Sequence, residues 1–187
     1  MSSSSKADVL IPGGLLVLSF APVVAGGLRV AEIASGAEIT PENARFFAAP
    51  LPVVLHIVSS VIFCIAGAFQ FAPGFRRRRP RWHRAAGRVF ILCGLMAALS
   101  ALWLTQLSPL GNFTGLRVAD YDGRSLYAIR LVVGSALAVF LGLGVATIVQ
   151  REFRSHGAWM IRGYALGLGA GTQALTDLPW VLFPGLR

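Results

Sequence analysis

The sequence RRRRPRWHR occupies residues 76–84 and separates two long apolar segments. The segment before it covers residues 51–71 and includes the polar residues His56 and Gln70, and the segment after it covers residues 88–107. A transmembrane helix needs about 20 consecutive residues that are mostly apolar, so each segment is long enough to cross a bilayer. Because basic residues collect in the cytoplasmic turns of membrane proteins, this turn is predicted to lie in the cytoplasm.

Three further apolar segments, at residues 9–28, 126–149 and 159–183, bring the number of predicted spans to five. The turn at residues 151–157 is again basic, whereas the loops after the first and third segments are acidic. This alternation predicts an all-α polytopic membrane protein, a bundle of five transmembrane helices with a cytoplasmic N-terminus. We expect residues 1–187 to form a single transmembrane domain in a bacterial inner membrane.

The composition excludes several classes of protein. Of the 187 residues, 55% are hydrophobic and 13% are charged, whereas soluble domains carry about 25% charged residues. A secreted disulfide scaffold, a disordered chain and a conventional soluble enzyme are therefore excluded. The net charge of +9 comes from 17 basic and 8 acidic residues. Since the basic residues cluster in turns beside apolar segments, the predicted partner is the bilayer and not nucleic acid, with anionic headgroups at Arg76–Arg81.

Three ionisable residues lie at one predicted depth within the membrane. His56, Arg130 and Asp177 each lie roughly 8 Å below the outer end of their segment, and Gln173 lies one helical turn deeper. Ionisable groups inside a bilayer are costly unless paired or hydrated, so each is a functional candidate. The alternatives are a ligand-binding or proton-moving pocket, an Asp177–Arg130 pair that fixes helix packing, an Arg130 side chain that reaches the headgroups, and a hydrogen-bonded core histidine.

A second polar cluster is predicted at the cytoplasmic ends of the segments. It contains Gln70, His83, His156 and Arg162, with Trp159 beside them, and we expect it to bind a cofactor or small ligand. His83 and His156 are the one pair of histidines that facing helices place at a common depth, which makes them candidate axial ligands of haem b. A quinone is the other candidate ligand. The alternative is a basic rim that contacts lipid headgroups, and no catalytic residue is assigned.

Three stretches of the sequence resemble a known family. They are GAFQF at residues 67–71, PRWHRAAGR at residues 80–88 and HGAWMIR at residues 156–162. Together they resemble bacterial predicted membrane proteins catalogued as domain of unknown function 2306. The resemblance covers segments two to five and implies a membrane topology but no chemistry. It also strengthens His83, His156 and Arg162 as site residues.

Two other functions compete with cofactor or ligand binding. A proton-coupled transporter would use the level of His56, Arg130 and Asp177, although no inverted repeat is visible. An accessory subunit of a larger membrane complex would suit the short loops and the glycine-rich helix faces. An enzyme that acts on lipids is a further alternative, but recognisable motifs such as H-E-x-x-H and G-x-S-x-G are absent from the sequence, so no enzyme activity is assigned.

Small residues recur every fourth position on the fifth segment, at Gly163, Gly167 and Gly171. This spacing lets helix backbones approach closely in membranes. We expect the stripe to pack within one bundle, with a homodimer as the alternative.

Overall fold

The computed structural model describes residues 3–41, 43–106 and 124–171, and all regular structure in them is helical. Four helices are long and apolar enough to cross a membrane, over Lys6–Ala34, Pro50–Gln70, Pro80–Gln106 and Ser125–Val149. The prediction of a helical membrane protein is therefore confirmed. The complete set of helices in these residues is α1 (Ser3–Ala34), α2 (Ala44–Ala48), α3 (Pro50–Gln70), α4 (Pro73–Arg78), α5 (Pro80–Gln106), α6 (Arg124–Val149) and α7 (Phe153–Gly171).

The five-span count and the cytoplasmic N-terminus remain predictions. The fifth predicted span covers residues 159–183, and α7 includes only its first half, up to Gly171. Asp177 and Gln173 lie outside the described residues.

The helix bounds follow the predicted spans closely for α3 and α6 but not for α5. Helix α5 begins at Pro80, eight residues before the predicted start at residue 88. Proline suits the first turn of a helix because its missing N–H would have no intrahelical partner there. At about 1.5 Å per residue, the 27 residues of α5 extend roughly 40 Å. This exceeds a hydrocarbon core of about 30 Å, so its basic first turns can lie among the headgroups.

Neighbouring helices along the chain pack side by side, with α3 against α1 and α5, and α6 against α5 and α7. One end of the bundle, here called the arginine end, holds residues 76–84 and 151–154. At the other end, here called the opposite end, α1 and α5 finish and α3 and α6 begin. Large apolar side chains on the outside are exposed, among them Phe20, Leu92 and Val132, as expected for surfaces that contact lipid.

Aromatic rings fill the middle of the bundle. Phe63 of α3 stacks on Phe90 of α5 with 4.5 Å between ring centres, and Tyr164 of α7 lies 5.5 Å and 5.8 Å from the two rings. Phe71 packs 5.0 Å from Tyr164 and edge-on to Phe90 at 6.3 Å. The rings of Phe63, Phe90 and Tyr164, here called the aromatic layer, lie between the two ends of the bundle, and Phe71, the C-cap residue of α3, extends their contacts toward the arginine end.

Glycines allow the aromatic layer to form. A methyl group at Gly67 would overlap the Tyr164 ring, and one at Gly94 would lie 2.6 Å from both Phe63 and Leu141. Gly163 and Gly167 of α7 face Leu141 and Phe63 in the same way. Two members of the predicted glycine stripe therefore pack inside the bundle, and the homodimer remains a prediction.

Candidate functional site

A cavity of about 570 Å³ lies in the half of the bundle next to the opposite end, between α1, α2, α3, α5, α6 and α7. Most of its lining is apolar. Both His56 and Arg130 line it, so the structure brings together two of the three ionisable residues that were predicted to share a level. The other polar side chains among the lining residues are Arg45, Ser60 and Thr105.

The common depth of His56 and Arg130 follows from their places in the chain. Each is the seventh residue of its helix, counted from Pro50 in α3 and from Arg124 in α6. Both helices begin at the opposite end, so six residues at 1.5 Å each place both side chains about 9 Å along their helices. Their partners in the predicted cluster, Asp177 and Gln173, lie outside the described residues.

His56 is held in one orientation by α5. Its ring nitrogen Nδ1 lies 3.0 Å from the carbonyl oxygen of Ala97 and 3.3 Å from the hydroxyl oxygen of Ser100. A carbonyl oxygen only accepts hydrogen bonds, so Nδ1 must carry the proton that His56 donates to it. In the neutral ring the other nitrogen, Nε2, is then a hydrogen-bond acceptor.

Helix α2 forms part of the cavity wall, through Arg45 and Phe46. The guanidinium groups of Arg29 and Arg45 lie 4.0 Å and 4.6 Å from the centre of the Phe46 ring. Arg29 also forms an ion pair with Glu32, whose carboxylate accepts a 2.7 Å hydrogen bond from the Asn43 amide. These contacts fix the position of α2 beside the cavity. The sequence analysis did not identify Arg45 as a site residue, because the depth of a residue in a predicted loop cannot be counted along a helix.

A second polar cluster lies at the arginine end. His83 is the fourth residue of α5 and His156 is the fourth residue of α7. The two imidazoles lie close enough to interact electrostatically, and Arg76 interacts with His83 in the same way. The structure therefore places both histidines at the arginine end of the bundle, and their role as a site remains a prediction.

His156 and Met160 both attach α7 to Gly144 of α6. The Nδ1 atom of His156 lies 2.8 Å from the Gly144 carbonyl oxygen, so it donates its proton there. One turn later, the terminal methyl group of Met160 fills the space where a side chain at position 144 would lie. The motif HGAWMIR therefore has a packing role in addition to any binding role.

Gln70 reaches the same end of the bundle from α3. Its side chain is 9% exposed, and its amide oxygen lies 3.6 Å from the place where a methyl group at Gly87 would be. Gly87 follows His83 by one helical turn, so the two positions share a face of α5. Within the described residues, the Gln70 Nε2 and His83 Nδ1 atoms are buried and have no hydrogen-bond partner.

Trp159 and Arg162 are not part of this buried group. The Arg162 guanidinium lies 4.6 Å from the centre of the Trp159 ring, and that ring packs 5.5 Å from Phe140. Arg162 is exposed. The pair thus forms a stacked contact on the bundle surface, an arrangement that suits membrane-interface anchors.

The described residues contain no group of three or more metal-binding side chains. The sequence analysis also missed the aromatic layer, including the 2.8 Å hydrogen bond that the Tyr164 hydroxyl donates to the Cys64 carbonyl oxygen. The sequence does not reveal the aromatic layer, because an aromatic residue in a long apolar segment can face either lipid or a neighbouring helix.

Comparison with curated proteins and with solved structures gives no significant match. The profile of a family described as "Predicted membrane protein (DUF2306)" matches residues 53–187, most of the chain. The matched region begins inside α3 and includes all three of the motifs that suggested the resemblance. The protein therefore belongs to the DUF2306 family of predicted membrane proteins.

Proposed function

We propose that this membrane protein binds a lipid-soluble small molecule of the quinone class in the cavity lined by His56 and Arg130. One observation carries the proposal: His56 and Arg130, from different helices, both line a single, mostly apolar cavity of about 570 Å³. Ligand sites in proteins typically measure about 300–1,000 Å³ and combine an apolar lining with a few polar groups that fix orientation.

The chemistry of the two polar groups suits a quinone and its reduced form. Quinone carbonyl oxygens accept hydrogen bonds, which the Arg130 guanidinium can donate. The hydroxyl groups of the quinol donate hydrogen bonds, which Nε2 of neutral His56 can accept. Leu104, Val133 and Leu137 also line the cavity and offer an apolar surface to the ring and tail.

The haem b hypothesis has weaker support. His156 donates Nδ1–H to a backbone carbonyl, which is how ligating histidines are commonly oriented. Neither His83 nor His156, however, is among the residues that line the described cavity. The same purified sample tests haem directly, since a bound haem gives a Soret band that disappears in His83→Ala or His156→Ala.

The transporter alternative meets an obstacle in the middle of the bundle. Phe63 lines the cavity and stacks on Phe90, so the aromatic layer lies between the cavity and the polar cluster at the arginine end. A carrier would have to move these rings during each transport cycle. For the accessory-subunit alternative, the decisive observation is whether native purification returns a partner protein.

The experiment measures quinone binding to protein purified in detergent and assembled in nanodiscs. A benzoquinone and a naphthoquinone, each with one isoprenoid unit, are titrated while the unfolding temperature is followed, because a ligand that binds the folded state raises it. We expect His56→Leu and Arg130→Gln to weaken binding at least tenfold. Arg88→Gln removes a charge from an exposed position on α5 and serves as the control.

Two outcomes would overturn the proposal. One is the absence of any binding to the wild-type protein by either quinone. The other is equal binding by wild-type protein and by the His56 and Arg130 variants. If His56→Leu fails to fold, Ser60→Val provides a second variant, since Ser60 also lines the cavity.

A further inference from the structure

The buried polar cluster at the arginine end is separate from the proposed quinone cavity. Gln70, His83 and His156 do not line that cavity, and the aromatic layer lies between the two places. The cluster combines two features that rarely occur together in the interior of a native protein. Gln70 is buried and the two histidines are partly buried, and the Gln70 Nε2 and His83 Nδ1 atoms have no access to solvent and no hydrogen-bond partner within the described residues.

We propose that Gln70 and His83, with Arg76 beside them, bind a phosphate group at the arginine end of the bundle. The Gln70 side chain is more than nine-tenths buried and its amide lies against α5. An unsatisfied buried polar group costs about 1–3 kcal/mol, so native proteins normally supply a partner for it. Two such groups on neighbouring helices point to one shared partner from outside the chain.

The charges at this end favour an anion as that partner. Arg76 is exposed and interacts electrostatically with His83. His83 also lies in the first turn of α5, where the helix dipole attracts negative charge. Two described acidic residues lie at this end. Asp8 accepts a 2.5 Å hydrogen bond from the backbone N–H of Gly74, and Glu152 is exposed in the turn before α7, next to Arg151. The Asp8 carboxylate is therefore already engaged by the first turn of α4.

The hydrogen-bonding capacity of the cluster favours phosphate among anions. The Nε2 amide group of Gln70, a protonated Nδ1 of His83 and the Arg76 guanidinium are all donors. A phosphate group offers several acceptor oxygens around one centre and can accept from all three. Because α5 is longer than a hydrocarbon core of about 30 Å, its basic first turn can lie at the depth of lipid headgroups. The phosphate can belong to a phospholipid headgroup or to a free phosphate ion.

The packing of the neighbouring motif residues supports this assignment. Gly87 leaves room for the Gln70 amide, and Met160 and His156 attach α7 to Gly144. These residues have internal contacts that account for their positions. Gln70 and His83 are the members of the same motifs that have a buried side-chain nitrogen atom without a partner in the described residues.

The test uses the full chain in phosphate-free detergent and follows the unfolding temperature during three titrations. The probes are inorganic phosphate, a short-chain phosphatidylglycerol, and laurate as an anionic amphiphile without phosphate. We expect a phosphate-bearing probe to raise the unfolding temperature of the wild-type protein. Binding by phosphatidylglycerol alone identifies a lipid headgroup, and binding by both phosphate compounds identifies a site for the phosphate group itself.

Two variants separate a defined site from general attraction to basic residues. Gln70→Leu should weaken the binding of the phosphate probe at least tenfold, with an equal or higher unfolding temperature in its absence, because an unpartnered buried amide has been removed. Arg154→Gln is the matched control, since Arg154 is exposed at the same end of the bundle but lies outside the turn predicted to contact headgroups, and it should change the affinity less than threefold. His83→Phe is the second site variant if Gln70→Leu does not fold.

Three results would overturn the phosphate site. The first is that no phosphate-bearing probe binds the wild-type protein. The second is that Gln70→Leu, or His83→Phe in its place, binds like the wild type, or that Arg154→Gln loses as much affinity as the site variant. The third is that laurate binds as tightly as phosphatidylglycerol, because the cluster would then recognise charge without recognising phosphate.

Discussion

The phenol oxygen of Tyr164 on α7 lies 2.8 Å from the carbonyl oxygen of Cys64 on α3, and the Tyr164 ring covers Gly67 one turn further along α3. The two residues that make the hydrogen bond are 100 positions apart in the chain. The contact joins the last described helix to the helix in which the family match begins. It therefore makes the packing of α7 depend on the absence of a side chain at position 67.

Replacing Gly67 by alanine should destabilise the protein by about 1–3 kcal/mol, the usual cost of overpacking a core. The added methyl group would overlap the Tyr164 ring, which is buried. Gly142→Ala is the control, because nothing lies within 4 Å of a methyl group there. The free energy of unfolding in mixed micelles should fall for Gly67→Ala and stay equal or rise for Gly142→Ala. Equal values for the two variants would contradict the described packing of Tyr164.

Gly144→Ala should also destabilise the protein, but by less than Gly67→Ala. The group that the new methyl would meet is the end of the flexible Met160 side chain, which can move at a smaller cost than a packed ring. Met160→Ala should remove the clash, so the double variant should be more stable than the sum of the two single effects predicts. A double-mutant cycle measures this coupling, and strictly additive effects would show that Met160 does not contact position 144.

Filling the cavity should block ligand binding without unfolding the bundle. Ala101 lines the cavity on α5, and a phenylalanine there would occupy volume that the proposed quinone needs. We expect Ala101→Phe to abolish the quinone-induced rise in unfolding temperature. Ala128→Phe makes the same change at an exposed position on α6 and should bind normally. Undiminished binding by Ala101→Phe would place the quinone elsewhere.

Labelling from one side of the membrane tests the predicted orientation. If the arginine end is cytoplasmic, a membrane-impermeant maleimide added to intact spheroplasts should label Ser35→Cys and leave Arg78→Cys unlabelled. Both positions are exposed, whereas the native Cys64 and Cys93 are buried and give a low background. Labelling of Arg78→Cys in intact spheroplasts would reverse the orientation.

The sequence predicted the parts of the fold that depend on hydrophobic length and charge. Both α3 and α6 begin within two residues of their predicted spans, because the edge of an apolar segment is a strong signal. The predicted span at residues 88–107 covers only the apolar part of α5, since hydropathy marks where the apolar residues begin and not where the helix begins. Arginine is a good helix former, so α5 extends through its basic residues back to Pro80.

The sequence could predict those site residues whose position depends only on their depth along a helix. Counting residues placed His56 and Arg130 at one level, and both line the same cavity. The contribution of Arg45 and Phe46 depends on how the loop after α1 folds back, held by the contacts of Asn43 with Glu32 and Thr40. Such a contact network depends on tertiary structure and has no periodicity that a sequence can reveal.

The aromatic layer has a consequence for the permeability of the membrane. The rings of Phe63, Phe90 and Tyr164 pack across the described part of the bundle at the separations of a dry protein core. Between His56 and His83, water and ions that enter from the opposite end would therefore have to pass these apolar rings. A cell that overproduces this protein should keep its ion gradients intact.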